Sequence, residues 1–278
     1  MIKKFLILSF LLFGFIQANI IEDKVRNILG EDGFNQHQKL IKILFVKTDD
    51  FMSGGMLKYI DILNLLKENG LLQLKYSKPK ELEIEFVLSS SPVKTLRILN
   101  DTLRSLGYYY YFTKKAIYLS DGSFVWNIKM QAEYAIDPLI FIKELKLKEI
   151  FVKNITRDDL RHWKYEFDTK NGKISKALKI EANEKVSLGK PLDNYLLSIK
   201  DVDTLKIISK KLNRWYPYIV FYNKDLKVLK TIERKRVYKG IQTTIPKDTK
   251  YIKIGDIYNL INIKRGLSVI VQSTQGEK

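Results

Sequence analysis

Residues 205–230 read LKIISKKLNRWYPYIVFYNKDLKVLK. Three short apolar and β-branched runs, at 205–208, 218–221 and 226–230, are divided by Lys210-Lys211 and by the turn signal Asn223-Lys224-Asp225. Runs this short, closely spaced and rich in Ile, Val and Tyr predict strands rather than helices. The same rhythm extends both ways. Further runs fall at 237–244, 251–254 and 266–271, and upstream at 195–199, 177–180 and 163–167. Asn171-Gly172, Leu188-Gly189-Lys190-Pro191 and Ile245-Pro246-Lys247-Asp248 supply turns. Residues 157–278 are therefore expected to form an all-β domain, a β-sandwich of jelly-roll type.

Upstream the period changes from two to 3.6. In residues 71–156, a strand with Leu82, Ile84 and Phe86 alternating against Glu81, Glu83 and Glu85 precedes a helix opened by Ser91-Pro92 and ended by Gly107. An aromatic strand at 108–112, a strand at 124–132, a helix from Asp137-Pro138 and a strand around 150–155 follow. That order, strand-helix-strand-strand-helix-strand, is the ferredoxin-like split βαβ pattern. A further short strand at 114–119 would complicate it. Residues 19–70 read as amphipathic helices, interrupted at Gly30 and by the Ser53-Gly54-Gly55 loop. The expected fold class is thus α+β followed by all-β.

The first residues have another logic. Lys3-Lys4, an apolar run over 5–16 and small Ala18 have the layout of a cleaved signal peptide, 1–18. The apolar run is shorter than the roughly 20 residues a spanning helix needs, and nothing later approaches that length. Export, with a periplasmic location and no transmembrane span in the mature chain, is the expectation. The chain has no cysteine, so its stability rests on burial rather than disulfides.

Charge is unevenly distributed. Residues 19–155 hold 20 Lys and Arg against 17 Asp and Glu, a net of +3; residues 156–278 hold 27 against 14, a net of +13. A field of that sign favours anionic partners. Given export, nucleic acid is not expected. An anionic envelope component, a lipid headgroup or a glycan, is expected, or an envelope protein.

Catalytic motifs are scarce. With two histidines, His37 and His162, and no cysteine, no usual zinc site can be assembled, and no Gly-x-Ser-x-Gly elbow is present. Neither an EF-hand spacing nor a phosphate-loop signature occurs. No catalytic residue, metal ligand or cofactor is expected. Asp49-Asp50, Asp158-Asp159 and Asp201/Asp203 are the carboxylate pairs a glycan-cleaving enzyme could draw on, the alternative to a binding role. A structural part in an envelope assembly is the third reading.

One constellation combines cations with rings: Lys211, Arg214, Trp215 and Tyr216, followed by Arg234, Lys235, Arg236 and Tyr238. A ring can stack on a sugar face while a cation meets phosphate or carboxylate. The same residues also fit a buried strand, with Trp215, Tyr218, Val220 and Tyr222 alternating against Tyr216, Ile219 and Phe221, and a charged hairpin blunting a sheet edge. The layout resembles exported accessory proteins that join a small α+β module to a β-sandwich.

Overall fold

The computed structural model describes residues 2–273, with side chains from Ile20 onward. The leader expected at 1–18 lies outside the residues whose side chains are described. Among the described residues no helix is long and apolar enough to cross a membrane. The fold is mixed α/β, with four helices and several sheets among those residues. The chain divides into two compact units, Met1–Lys173 and Ile174–Lys278.

The first unit begins with α1 (Ile2–Leu44), which is interrupted at Gly30, where φ is 74° and ψ 164°. A β-carbon there would meet the Arg157 carbonyl oxygen at 3.3 Å, so glycine permits both the break and the close approach. A small hairpin follows, β1 (Met52–Ser53) and β2 (Met56–Leu57), then α2 (Tyr59–Glu68). Next come β3 (Lys75–Leu88), α3 (Pro92–Ser105), β4 (Phe112–Tyr118), β5 (Phe124–Tyr134), α4 (Pro138–Lys146), β6 (Phe151–Arg157) and β7 (His162–Asp168). The sheet runs β4-β5-β3-β7-β6, with β3 antiparallel to β5 and parallel to β7.

Alternation explains its two faces. Leu82, Ile84, Phe86 and Leu88 are buried, and the Phe86 ring lies 5.8 Å from that of Phe141 on α4. Tyr165 and Phe167 of β7 stack on the same side, their rings 6.0 Å apart. The intervening glutamates form cross-strand ion pairs: Glu83 with Lys114 at 2.8 Å, Glu81 with Lys129 at 2.6 Å, Glu85 with Lys164 at 3.6 Å. Exposed pairs of this kind add little to stability and mainly fix register. Asp137 caps α4 by accepting from the amides of Leu139 and Ile140, and proline occupies the first turn of both α3 and α4.

Two elements differ from expectation. The run at 163–167, read as opening the C-terminal strands, is β7, wedged between β3 and β6 of the first sheet. Its alternation of Trp163, Tyr165 and Phe167 with Lys164 and Glu166 suits any sheet with one buried face, and only the pairing of Phe86 with Tyr165 assigns it. The aromatic strand expected at 108–112 starts only at Phe112; the short strand considered at 114–119 lies mostly within β4. Gly107, with φ 92°, ends α3, and Tyr109 and Tyr110 emerge into solvent.

The second unit is two sheets with one core. Its strands are β8 (Leu178–Ile180), β9 (Lys185–Ser187), β10 (Tyr195–Ile199), β11 (Thr204–Ser209), β12 (Pro217–Tyr222), β13 (Val228–Glu233), β14 (Gly240–Thr244), β15 (Tyr251–Asp256) and β16 (Leu267–Gln272). One sheet runs β13-β12-β15-β10-β8, the other β14-β11-β16-β9. Leu197, Ile219, Phe221, Ile252 and Ile254 of the first sheet and Leu205, Ile207, Leu267, Val269 and Val271 of the second share one buried cluster. The three-residue β9 was not anticipated.

Register aligns the strand ends. Tyr195 stands opposite Ile254, Pro217 opposite Asp256 and Tyr218 opposite Glu233; in the other sheet Ser209 faces Leu267, Ile208 faces Gly240 and Ser268 faces Ser187. The connections 188–194, 210–216, 234–239 and 257–266 therefore gather at one end of the unit, each crossing from one sheet to the other. Connections 181–184, 200–203, 223–227 and 245–250 gather at the opposite end.

A candidate binding surface at one end of the two-sheet unit

The two basic clusters of the sequence, about twenty residues apart, become neighbours. The Tyr238 amide donates to the Trp215 carbonyl at 2.9 Å, and the Arg234 amide to the Pro217 carbonyl at 3.0 Å. Lys211 and Arg214 are exposed on loop 210–216, and Arg234, Lys235 and Arg236 are exposed on loop 234–239. Tyr216 is half-buried, its ring 4.9 Å from that of Tyr258 in a T-shaped contact. Tyr238 packs partly against the core and, with Arg234, lines an open groove of about 360 Å³ whose lining also includes Gly240, Gln242 and Thr243.

Trp215 is different. It is wholly buried, and its indole N–H donates to the Gly255 carbonyl at 2.8 Å. It joins Ile219 and Phe221 in the core rather than alternating with them, so no ring face is left for a ligand. Nor is 234–236 a hairpin tip: the segment carries the chain from β13 in one sheet to β14 in the other.

The other two loops at this end add residues that sequence reasoning passed over. Loop 188–194 brings Lys190; loop 257–266 brings Lys264 and Arg265. Together the four loops hold ten Lys and Arg against a single acid, Asp193. Lys210 is half-buried and donates to the Leu188 carbonyl at 3.1 Å, whereas the other nine cations are exposed. Among the described residues none of the ten forms an ion pair.

Cations so crowded need a rigid frame. Asp256, buried at the end of β15, accepts from the Tyr216 amide at 2.7 Å, from the Tyr258 and Asn259 amides at 3.0 Å, and from the Asn262 side chain at 3.0 Å. One carboxylate thus ties loop 257–266 to loop 210–216 through charge-assisted hydrogen bonds. Asn213 makes a second clamp, donating to the Gly266 carbonyl at 2.8 Å and accepting from the Arg265 amide at 3.2 Å. Gly266 has φ +87°, and a β-carbon there would lie 2.0 Å from the Leu188 carbonyl oxygen, so this crossing requires glycine. The Tyr195 hydroxyl donates to the Gly189 carbonyl, and burial pushes its pKa up to about 12.

The remaining candidates are spent on structure. Burial alone would raise the Asp159 carboxyl, but the Arg161 and His162 amides and the His162 ring, 2.9 Å away, hold its pKa below the ordinary value. Asp49 and Asp50 lie in a single turn of 3-10 helix, and Asp201 and Asp203 at the opposite end of the two-sheet unit. Among the described residues no group of three or more His, Asp or Glu is placed to hold a metal ion.

Compared with known proteins, the chain matches no family model. No curated protein matches it in sequence.

Proposed function

We propose that this protein is an exported, periplasmic envelope protein that binds an anionic envelope component through the basic loop end of its C-terminal unit. The observation that carries the reading is the ratio of ten cations to one acid on four adjacent loops. Cations without an ion pair among the described residues, and focused at one pole, attract an anion from a distance and hold it by charge-assisted contacts. The groove beside Arg234 and Tyr238 offers a place for one phosphate or carboxylate, with a phenol ring alongside. The N-terminal sequence layout supports export.

Strand order supports a finer reading of the architecture. Numbering β9 to β16 as one to eight, the sheets run one-eight-three-six and two-seven-four-five, the arrangement of a jelly-roll sandwich, with β8 added beside β10. In the first unit, β3-α3-β4 with β5 between the strands matches the first half of a split βαβ; β7 then stands beside β3, parallel to it, where that pattern would set the strand after α4, and β6 lies beyond it at the sheet edge.

The test is an affinity pull-down of the mature chain from envelope extract at low and high salt. Retention of an anionic lipid or glycan at low salt and its loss at high salt is expected, because exposed charges are screened within about 8–10 Å at physiological ionic strength. No retention at low salt, or retention indifferent to salt, refutes the reading.

A second reading, a component of an envelope assembly, has its own observation. β4 is an edge strand exposed at all seven positions, with Phe112 and Tyr118 outward, and a partner strand could extend the sheet there. Co-purification of a fixed protein set at both salt concentrations would favour it.

A further inference from the structure

The basic loop end is not only basic. Each of its four loops also exposes a large apolar side chain: Leu192 is 97% exposed, Leu212 74%, Val237 47%, Tyr258 63% and Ile261 66%. Among the described residues, the four loops at the opposite end expose none of this kind. We infer that the ligand of this end is the surface of an anionic phospholipid bilayer, with these side chains entering the interface while the flanking cations meet phosphate. The inference rests on the reading above that this end binds an anionic envelope component.

Two features favour a lipid surface over a soluble anion or a protein. First, a polyanionic glycan would use the cations and the tyrosine rings but would leave Leu192, Leu212 and Ile261 in water. A bilayer boundary accepts apolar side chains to a depth of about 5–10 Å and anionic headgroups immediately above them. Second, a protein interface concentrates its apolar residues at the centre and depletes charge there. Here apolar tips and cations alternate along the same loops, as in Lys211-Leu212 and Arg236-Val237.

The experiment is co-sedimentation of the mature protein with vesicles of phosphatidylglycerol and phosphatidylcholine, beside vesicles of phosphatidylcholine alone and retention on immobilised heparin. It compares wild type with the triple variant Leu192→Ser, Leu212→Ser, Ile261→Ser, which keeps every charge and alters only exposed positions. Circular dichroism and melting temperature check that the variant folds. A Leu212→Trp variant reports entry directly, its emission shifting to the blue on vesicle addition. The inference expects binding to the anionic vesicles, a partition coefficient lowered at least about tenfold in the triple variant, and unchanged heparin retention. Salt-sensitive heparin retention without vesicle binding, or vesicle binding equal in wild type and triple variant, overturns the lipid inference and leaves the anionic-partner reading standing. Binding to neither vesicles nor heparin removes both.

Discussion

The two ends of the C-terminal unit are made by the same nine strands, yet they differ as surfaces. Loops 188–194, 210–216, 234–239 and 257–266 carry ten cations and one acid, whereas loops 181–184, 200–203, 223–227 and 245–250 carry five cations and six acids. The first set exposes large apolar side chains on every loop, and the second exposes none among the described residues. A lysine-rich composition alone would have spread charge over both ends. The difference shows that the excess of the second half is placed, and that net charge understates how local the field is.

Reversing charge at one end and then at the other should have the largest effect. The triple variant Lys211→Glu, Arg234→Glu, Arg236→Glu should lower affinity for an anionic partner at least about a hundredfold at low salt, since each cation near an anionic surface contributes on the order of 1 kcal/mol. Lys200→Glu, Lys224→Glu, Lys247→Glu, equal in charge change but at the opposite end, should lower it by less than about threefold, as seen by vesicle or heparin binding. Equal losses from both variants would break the comparison.

The frame of the basic end is the next target. Asp256→Ala removes the acceptor shared by three amides and one side-chain amide, and should cost about 3 kcal/mol in denaturant unfolding. Gly266→Ala forces a β-carbon into the Leu188 carbonyl and should cost about 2 kcal/mol or more in the same measurement. At the opposite end an exposed loop change such as Lys247→Ala should stay within about 0.5 kcal/mol.

A smaller effect appears at high pH. Tyr195 is held neutral by burial, with a folded pKa near 12 against an ordinary value of 10.0. A folded-state pKa raised in this way gives a contribution fully present below about pH 10 and lost as pH rises toward 12. Tyr195→Phe should remove one late-titrating tyrosinate from the ultraviolet absorbance curve and flatten the loss of stability over that window. An unchanged curve would contradict the placement of this hydroxyl against Gly189.

Much of this contrast was legible in the sequence, and its location was not. Alternation in 205–230 and its neighbours marked strands, and the +13 net charge marked the half that holds the excess of cations. The cations Lys211, Arg214 and Arg234–Arg236 were legible as a cluster because they are close in the chain. Lys190, Lys264 and Arg265 were not, because only sheet register brings their loops to the same end. Leu192, Leu212 and Ile261 looked like ordinary apolar residues, since exposure has no one-dimensional signature. Trp215 shows the converse: beside Arg214 it reads as a ligand-stacking ring, yet its burial with Ile219 and Phe221 is decided by strand parity. Trp163, Tyr165 and Phe167 likewise announce a strand without saying which sheet receives it.

The most direct test of the central claim is a salt titration of vesicle binding with the wild type and the two charge-reversal variants side by side. The steep salt dependence of the wild type is predicted to vanish with reversal of Lys211, Arg234 and Arg236 and to survive reversal of Lys200, Lys224 and Lys247. Identical titrations for the two variants would mean that the protein's overall charge, and not its basic loop end, sets the interaction.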